Sequence, residues 1–118
     1  MAASHVDVLG SQILRYLGDQ SSSEHYDGVE SGRKEDNSVR IASLLLWLSN
    51  VTGGGGETVF PTANVSFSPR VGDGILFYHW NRRGARDVHS RHSGMRPTSG
   101  GVKWIMTTQI WNKPCCQP

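Results

Sequence analysis

A histidine and an aspartate stand two positions apart in the stretch "EHYDGVE", residues 24–30. On a β-strand, side chains at positions i and i+2 project from the same face, so His25 and Asp27 could both reach one metal ion while Tyr26 points away. The same two residue types also occur together on ordinary strands, as two polar side chains with no ligand. A metal site therefore needs a third ligand from a distant part of the chain.

The third ligand could come from "DVHSRHSG" at residues 87–94, which holds two histidines. Two histidines and one carboxylate form the facial triad of non-haem iron(II) oxygenases, which leaves coordination positions free for cosubstrate and oxygen. Residue types alone leave His89 and His92 open as candidates, with His79, beside Trp80, as a third.

The elements that must position these residues are short strands separated by turn formers. "SQILRYL" at residues 11–17 is predicted as a strand, and "VRIASLLLWLSNV" at residues 39–51 as a central strand, with a helix as the alternative because both faces are apolar. Further strands are predicted around 24–27, 57–61, 63–67, 75–80 and 102–111. About seven strands without a long helix predict an all-β fold with minor α content, an antiparallel sandwich or jelly roll.

Length and charge limit the organisation of the protein and its partners. The chain has 118 residues, enough for one domain over residues 1–118 with a core at about 11–113. Residues 61–118 hold 8 basic and 2 acidic side chains, and five arginines lie within 82–96. These could contact nucleic acid, an acidic partner or a small anion, or could simply form a solvated loop. No run reaches the roughly 20 apolar residues of a membrane span, and no secretory signal is visible.

Five motifs occur in the order found in one enzyme family. "SQILRY", "EHYD", "GGETVFP", "RDVHSRHSG" and "GVKW" lie between Ser11 and Trp111, and together they resemble the prolyl 4-hydroxylases. The resemblance implies a cupin-like double-stranded β-helix that uses iron(II), 2-oxoglutarate and O2. It also implies hydroxylation of peptidyl proline to 4-hydroxyproline, with decarboxylation of 2-oxoglutarate to succinate and CO2 and with ascorbate as a further requirement.

The resemblance also implies the metal ligands. His25, Asp27 and His92 match the family's iron ligands. In the family an aspartate precedes the second histidine by five positions and a glycine follows it by two, so Asp87 and Gly94 select His92.

The resemblance assigns the cosubstrate pocket to three other residues. Tyr16 aligns with a pocket tyrosine, and Lys103 matches the basic residue that pairs with the distal carboxylate of 2-oxoglutarate. Thr58 is a further candidate that could equally be a plain strand residue. Lys103 opens a strand whose alternate residues should share its face toward the barrel interior; these are Ile105, Thr107, Gln109 and Trp111. A buried ammonium there would be costly unless an anion met it.

Three departures from the family pattern affect activity more than metal binding. The chain is short at its N-terminal end, where relatives carry helices that brace the barrel. Ser22 replaces a tyrosine near the substrate mouth, and Gln109 stands where a tryptophan is expected. One extra residue lies between His92 and Lys103, which a loop can absorb.

Two functions other than hydroxylation remain open at this point. One is a truncated, non-catalytic relative that binds metal or protein, and the other, which the motif spacing disfavours, is a dioxygenase acting on nucleic acid. We expect a proline-containing peptide or protein as substrate, a possible partner subunit, no nucleic acid and no membrane segment in this chain. The resemblance further implies the endoplasmic reticulum or the secretory pathway.

Overall fold

The computed structural model describes residues 4–8, 10–28, 39–51, 53–98 and 100–112. These ranges contain nine strands and one short 3-10 helix, Val88–Ser90. The strands are β1 (Ser4–Val8), β2 (Ser11–Tyr16), β3 (Ser22–His25), β4 (Arg40–Trp47), β5 (Thr58–Phe60), β6 (Val65–Phe67), β7 (Gly74–Tyr78), β8 (His92–Gly94) and β9 (Lys103–Trp111). In the same ranges there is no helix whose length and hydrophobicity would suit a membrane crossing.

The strands form two antiparallel sheets that pack against each other. The five-stranded sheet has the order β1-β2-β9-β4-β7, and the four-stranded sheet has the order β3-β8-β5-β6. Phe60 of the smaller sheet meets Phe77 of the larger one edge to face, with ring centroids 5.1 Å apart. Two layered antiparallel sheets with hardly any helix confirm the prediction of an all-β jelly roll.

The core lies on the inner face of the larger sheet. Tyr16, Leu45, Trp47 and Ile105 are buried there and pack together. β4 lies between β9 and β7 and pairs with both; its inner face is buried, and Leu44 and Leu46 on its other face are half-buried. The prediction of a central strand at this place is confirmed, and the helical alternative is wrong.

Two strands were not anticipated from the sequence. β1 forms a hairpin with β2 around Gly10, whose φ of 83° suits a glycine turn. β8 has three residues and lies inside the segment predicted as a loop, where it pairs with both β3 and β5. Three residues are too few to show an alternating pattern, so this strand is defined by its neighbours.

β3 also ends earlier than the motif "EHYD" suggested. It stops at His25, and its pairing with β8 shifts register between Ser22 and His25. Asp27 therefore lies beyond the strand. The strand alternation that predicted a shared face for His25 and Asp27 is not what brings them together.

A run of four glycines shapes the loop before β5. Gly53, Gly54, Gly55 and Gly56 all have positive φ, which is costly for other residues. A Cβ on Gly55 would lie 2.7 Å from the backbone nitrogen of Thr98. The run thus lets this loop pass close to the segment before β9, and it turns the carbonyl of Gly56 toward Lys103.

Candidate metal centre

Three side chains that could ligate a metal converge where β3 meets β8. His25 and His92 are directly opposed across the two strands, and their ring centroids are 4.4 Å apart. Oδ1 of Asp27 lies 3.1 Å from Nε2 of His25 and 3.5 Å from Nε2 of His92. One ligand atom from each residue falls within 4.8 Å of the others. Within the described residues, this is the group of three or more His, Cys, Asp or Glu side chains that could hold an ion.

The two histidine rings are oriented by backbone carbonyls. Nδ1 of His25 lies 2.7 Å from the carbonyl oxygen of Ser23, and Nδ1 of His92 lies 2.9 Å from that of Ser90. When each Nδ1–H donates to its carbonyl, each Nε2 faces Asp27 and can bind a metal once it carries no proton. Histidine ligands of metals in proteins are held in this way.

Asp87 supports the orientation of His92 indirectly, through the turn that contains Ser90. Its carboxylate caps the 3-10 helix by accepting from the backbone N–H of His89 at 3.0 Å, and its carbonyl accepts from the Ser90 hydroxyl at 2.7 Å. The turn then presents the Ser90 carbonyl to His92. This gives a physical reason for an aspartate five residues before the histidine.

The electrostatics of the cluster suit a cation. Burial alone would raise the pKa of Asp27, but the hydrogen bond from His25, the nearby His92 and the Ser43 hydroxyl together bring the pKa of this carboxyl well below its usual range. The pKa of His92 is lowered, chiefly by burial, and the pKa of His25 is raised, chiefly by its hydrogen bond to Asp27. Asp27 is therefore an anion at neutral pH, and a metal ion would displace a proton that His25 and Asp27 otherwise share.

The second oxygen of Asp27 has its own partners deeper in the barrel. Oδ2 accepts from the Ser43 hydroxyl at 2.6 Å and faces Nε2 of Gln109 at 3.4 Å. Gln109 was predicted to lie on the inward face of its strand, but Ser43 was missed. The signal for Ser43 was a single polar residue within the apolar run "IASLLLWL".

The other two candidate histidines lie outside the cluster. His89 is exposed, contacts Asp87 through Nδ1 at 3.1 Å, and lines a separate apolar cavity of about 410 Å³. His79 is 1% exposed and lies behind the cluster, where it contacts Ser43 rather than an open site. Neither residue contributes a ligand atom to the three-residue cluster.

A cavity of about 290 Å³ opens in front of the cluster and extends between the two sheets. All six residues that the sequence assigned to iron or cosubstrate line it. They are Tyr16, His25, Asp27, Thr58, His92 and Lys103. The structure therefore brings all of the predicted site residues to one cavity.

The family model of the 2OG-Fe(II) oxygenase superfamily matches residues 11–111, which include every residue of this cavity. The chain belongs to the 2OG-Fe(II) oxygenase superfamily.

Known relatives of this oxygenase chain are prolyl 4-hydroxylases by name. "Probable prolyl 4-hydroxylase 3" of Arabidopsis thaliana is 35% identical over 83% of the chain and 40% of its own length, and "Probable prolyl 4-hydroxylase 9" of the same plant is 40% identical over 83% and 39%. The crystal structure of the viral collagen prolyl hydroxylase vCPH from Paramecium Bursaria Chlorella virus-1, a 2OG complex, superimposes with a TM-score of 0.75. That match has 28% identity and covers 95% of this chain and 62% of the viral one. The chain spans about two fifths of the length of these plant relatives.

Lys103 is the buried cation of the oxygenase cavity, which the half-buried Arg40 also lines. It is 1% exposed, its ammonium donates to the Gly56 carbonyl at 3.0 Å, and it lies 4.5 Å from the centroid of the Tyr16 ring. Among the described residues no salt bridge to Lys103 is formed, and burial lowers its pKa to about 8. A buried ammonium with so little compensation is suited to an anionic ligand.

Two of the departures from the family pattern, Ser22 and Gln109, line this oxygenase cavity. The Ser22 hydroxyl accepts from the backbone N–H of Gly94 at 2.8 Å, and a Cβ on Gly94 would lie 2.8 Å from that oxygen. Gln109 faces Asp27, as described above. Smaller or more polar side chains at these positions leave the three-residue cluster in place while they change the walls around it.

Proposed function

We propose that this chain is the iron- and 2-oxoglutarate-binding barrel of a prolyl 4-hydroxylase, acting on proline in a peptide or protein. The observation that carries the proposal is one cavity lined by two chemically different groups. His25, Asp27 and His92 converge on it, and the buried Lys103 lines it as well. The names of the relatives and the family match support the choice of substrate class and of cofactor.

The residues present fit iron(II). Two neutral imidazoles and one carboxylate occupy one face of a metal ion and leave the opposite face open. Asp27 supplies the negative charge, and the carbonyls of Ser23 and Ser90 keep the two rings turned inward. When bound, iron(II) supplies the redox chemistry that couples decarboxylation of 2-oxoglutarate to hydroxylation of the substrate.

The rest of the cavity fits the cosubstrate. The Lys103 ammonium would pair with the distal carboxylate of 2-oxoglutarate, since it is a buried positive charge that lines the cavity and is not part of the metal cluster. The Tyr16 ring lies against this ammonium and Thr58 lines the same space, so both would contact the carbon chain or carboxylate of the ligand. Dependence on ascorbate, a partner subunit and a place in the secretory pathway are parts of this proposal that rest on family resemblance.

A two-step experiment tests the proposal. Anaerobic titration of the protein with iron(II) and 2-oxoglutarate should produce the metal-to-ligand charge-transfer band of a bound pair. In air, a proline-rich peptide should then stimulate succinate release, and 4-hydroxyproline should appear in the peptide. Absence of the band in folded protein would refute the assigned site.

The departures at Ser22 and Gln109 favour one alternative, a non-catalytic relative that keeps the metal and cosubstrate site. The same experiment separates the two functions. A charge-transfer band without any peptide-stimulated succinate would favour the binding module, whereas hydroxylated peptide would exclude it.

The choice between the two loop histidines gives a direct contrast. His92→Ala should lose iron(II) binding because its Nε2 faces Asp27, whereas His89→Ala should bind iron(II) like the parent because His89 is exposed and contacts only Asp87 within its own loop. Iron(II) or cobalt(II) titration of the two variants measures this. The opposite pattern would mean that the loop register differs in solution.

Binding of 2-oxoglutarate should weaken as the pH rises. The pKa of Lys103 is lowered to about 8, so the ammonium that attracts the ligand is present below that pH and is lost above it. The apparent affinity of metal-loaded protein should therefore fall about tenfold between pH 7 and pH 9. Calorimetry on the parent and on Lys103→Arg checks this, because guanidinium stays charged across the range and should remove the pH dependence.

A further inference from the structure

Ser43 is a fully buried hydroxyl that links Asp27 to a histidine outside the metal cluster. Its exposed fraction is 0%, and it lies on the inner face of the apolar strand β4. Its oxygen is 2.6 Å from Oδ2 of Asp27 and 2.7 Å from Nε2 of His79. Asp27, Ser43 and His79 thus form a continuous hydrogen-bonded chain that runs from the metal site into the larger sheet.

The hydroxyl of Ser43 has one proton for two possible acceptors besides His79. Oδ2 of Asp27 is at 2.6 Å, and Oε1 of Gln109 is at 2.8 Å. The carboxylate is nearer and carries the negative charge, so it is the stronger acceptor. If the proton were turned toward His79 instead, the Ser43 oxygen would face the anionic Oδ2 at 2.6 Å with no hydrogen between them. With the proton turned toward Asp27, the contact without a hydrogen is the longer one to the neutral amide oxygen of Gln109 at 2.8 Å.

The direction of the Ser43 proton therefore determines which ring nitrogen of His79 carries a hydrogen. Nε2 of His79 must carry a hydrogen and donate it to Ser43, which leaves the Ser43 proton free for Asp27. A hydrogen on Nδ1 instead would donate to the Arg40 carbonyl oxygen at 3.2 Å, a longer and neutral hydrogen bond that is weaker than the charge-assisted one from Ser43 to Asp27 at 2.6 Å. The Arg40 carbonyl accepts a short hydrogen bond of 2.7 Å from the Trp80 indole, while Nδ1 of His79 lies 3.2 Å from the same oxygen.

Close packing holds His79 in this place. The ring is 1% exposed, and a Cβ on Gly28 would lie only 2.9 Å from Cβ of His79. Gly28 directly follows Asp27 in the chain, so His79 packs against the backbone that carries the carboxylate. His79 can therefore act on Asp27 without touching it.

We propose that His79 is a positioning residue that, through Ser43, holds Oδ2 of Asp27 away from the metal site and leaves Oδ1 as the ligand atom. The inference extends the proposed function, because it concerns the same metal site. Oδ1 faces the two histidine nitrogens, and Oδ2 faces Ser43 and Gln109. Hydrogen bonds of this kind behind a carboxylate ligand fix its orientation and its charge.

Four variants test the role by metal titration, with Asp27→Ala as the reference for a lost ligand. Ser43→Ala and His79→Leu should each weaken cobalt(II) or iron(II) binding by about 10- to 100-fold, the range for residues behind metal ligands. His79→Gln should restore most of the affinity, since its amide nitrogen can donate from nearly the position of Nε2. The double variant Ser43→Ala/His79→Leu should bind no more weakly than Ser43→Ala, because His79 acts only through Ser43.

The controls separate positioning from folding. Thermal unfolding of the metal-free variants shows whether they are folded, and a purely structural His79 would lower stability without changing the metal affinity of the folded protein. Parent-like affinity in folded His79→Leu, or additive losses in the double variant, would overturn the proposal. Parent protein that binds no metal would instead refute the proposed function.

If the variants do not fold, the tautomer of His79 can be measured on the unaltered metal-free protein. Long-range 1H–15N correlation spectra distinguish the two neutral tautomers of each histidine. His79 should carry its hydrogen on Nε2, with Nδ1 unprotonated. A hydrogen on Nδ1 would direct the Ser43 proton away from Asp27 and would overturn the proposed chain.

Discussion

Replacing Asp27 by alanine is expected to abolish iron(II) binding. Asp27 is the anion of the cluster, and its Oδ1 lies within 3.5 Å of both histidine nitrogens. Its loss removes a ligand and the charge that lowers the cost of holding a cation near two imidazoles. The decrease in affinity should exceed the roughly 10- to 100-fold that follows from removing a residue behind a ligand. Anaerobic iron(II) titration measures it.

Two further variants show that the effect comes from the ligand and not from the fold. Asp27→Asn keeps the shape and an acceptor for Ser43 but removes the charge, so it too should lose most of the iron(II) affinity. Tyr26→Phe should bind like the parent, because that ring lies under the Arg86 guanidinium at 4.6 Å and not in the cluster. Unchanged affinity in folded Asp27→Ala would show that this aspartate is not a ligand.

Replacing Lys103 is expected to give the second large loss, this time of 2-oxoglutarate. A charge-assisted contact contributes about 1.5 to 3 kcal/mol, so Lys103→Ala should weaken 2-oxoglutarate by about one to two orders of magnitude. Iron(II) binding should be spared because Lys103 is not part of the cluster. Lys103→Arg should recover part of the loss, since guanidinium keeps the charge but differs in shape. Calorimetry on metal-loaded protein provides the numbers.

Lys103→Met separates the effect of the buried charge on protein stability from its effect on 2-oxoglutarate binding. Methionine fills a similar volume without a charge, so this variant should bind 2-oxoglutarate as weakly as Lys103→Ala. It should nevertheless raise the melting temperature of the ligand-free protein below pH 8, because burial disfavours the ammonium there. Parent-like affinity in Lys103→Ala would make Lys103 a structural residue and move the search to Arg91 and Arg96. Neither arginine lines the cavity, and Arg91 pairs with Glu24 at 2.8 Å.

Much of the site could be predicted from local sequence. The alternation along β9 placed Lys103, Ile105, Thr107 and Gln109 toward the cavity, which all four line, because strand geometry repeats every two residues. The same alternation placed Trp111 there too, but Trp111 does not line the cavity, and the pairing of β9 with β4 is irregular at that end. The apolar run of β4 likewise indicated a central strand, which lies between β9 and β7. The motif order gave the family, and with it six of the residues that line the cavity.

Other parts of the site depend on contacts that no local pattern encodes. β8 is too short to show a period, and its register opposite β3 sets His92, rather than His89, across from His25. Asp27 lies past the end of its strand, so its place is fixed by hydrogen bonds and not by alternation.

The hydrogen bonds around Oδ2 of Asp27 are the clearest example of contacts that local sequence does not predict. Three adjacent strands supply this network: Ser43 lies on β4, His79 directly follows β7, and Gln109 lies on β9. In the sheet these strands have the order β9-β4-β7, which is not their order in the chain. Residue spacing within one strand determines which face a side chain occupies. Which side chains then share a hydrogen bond depends on strand pairing between distant segments, and the packing of the whole barrel determines that pairing.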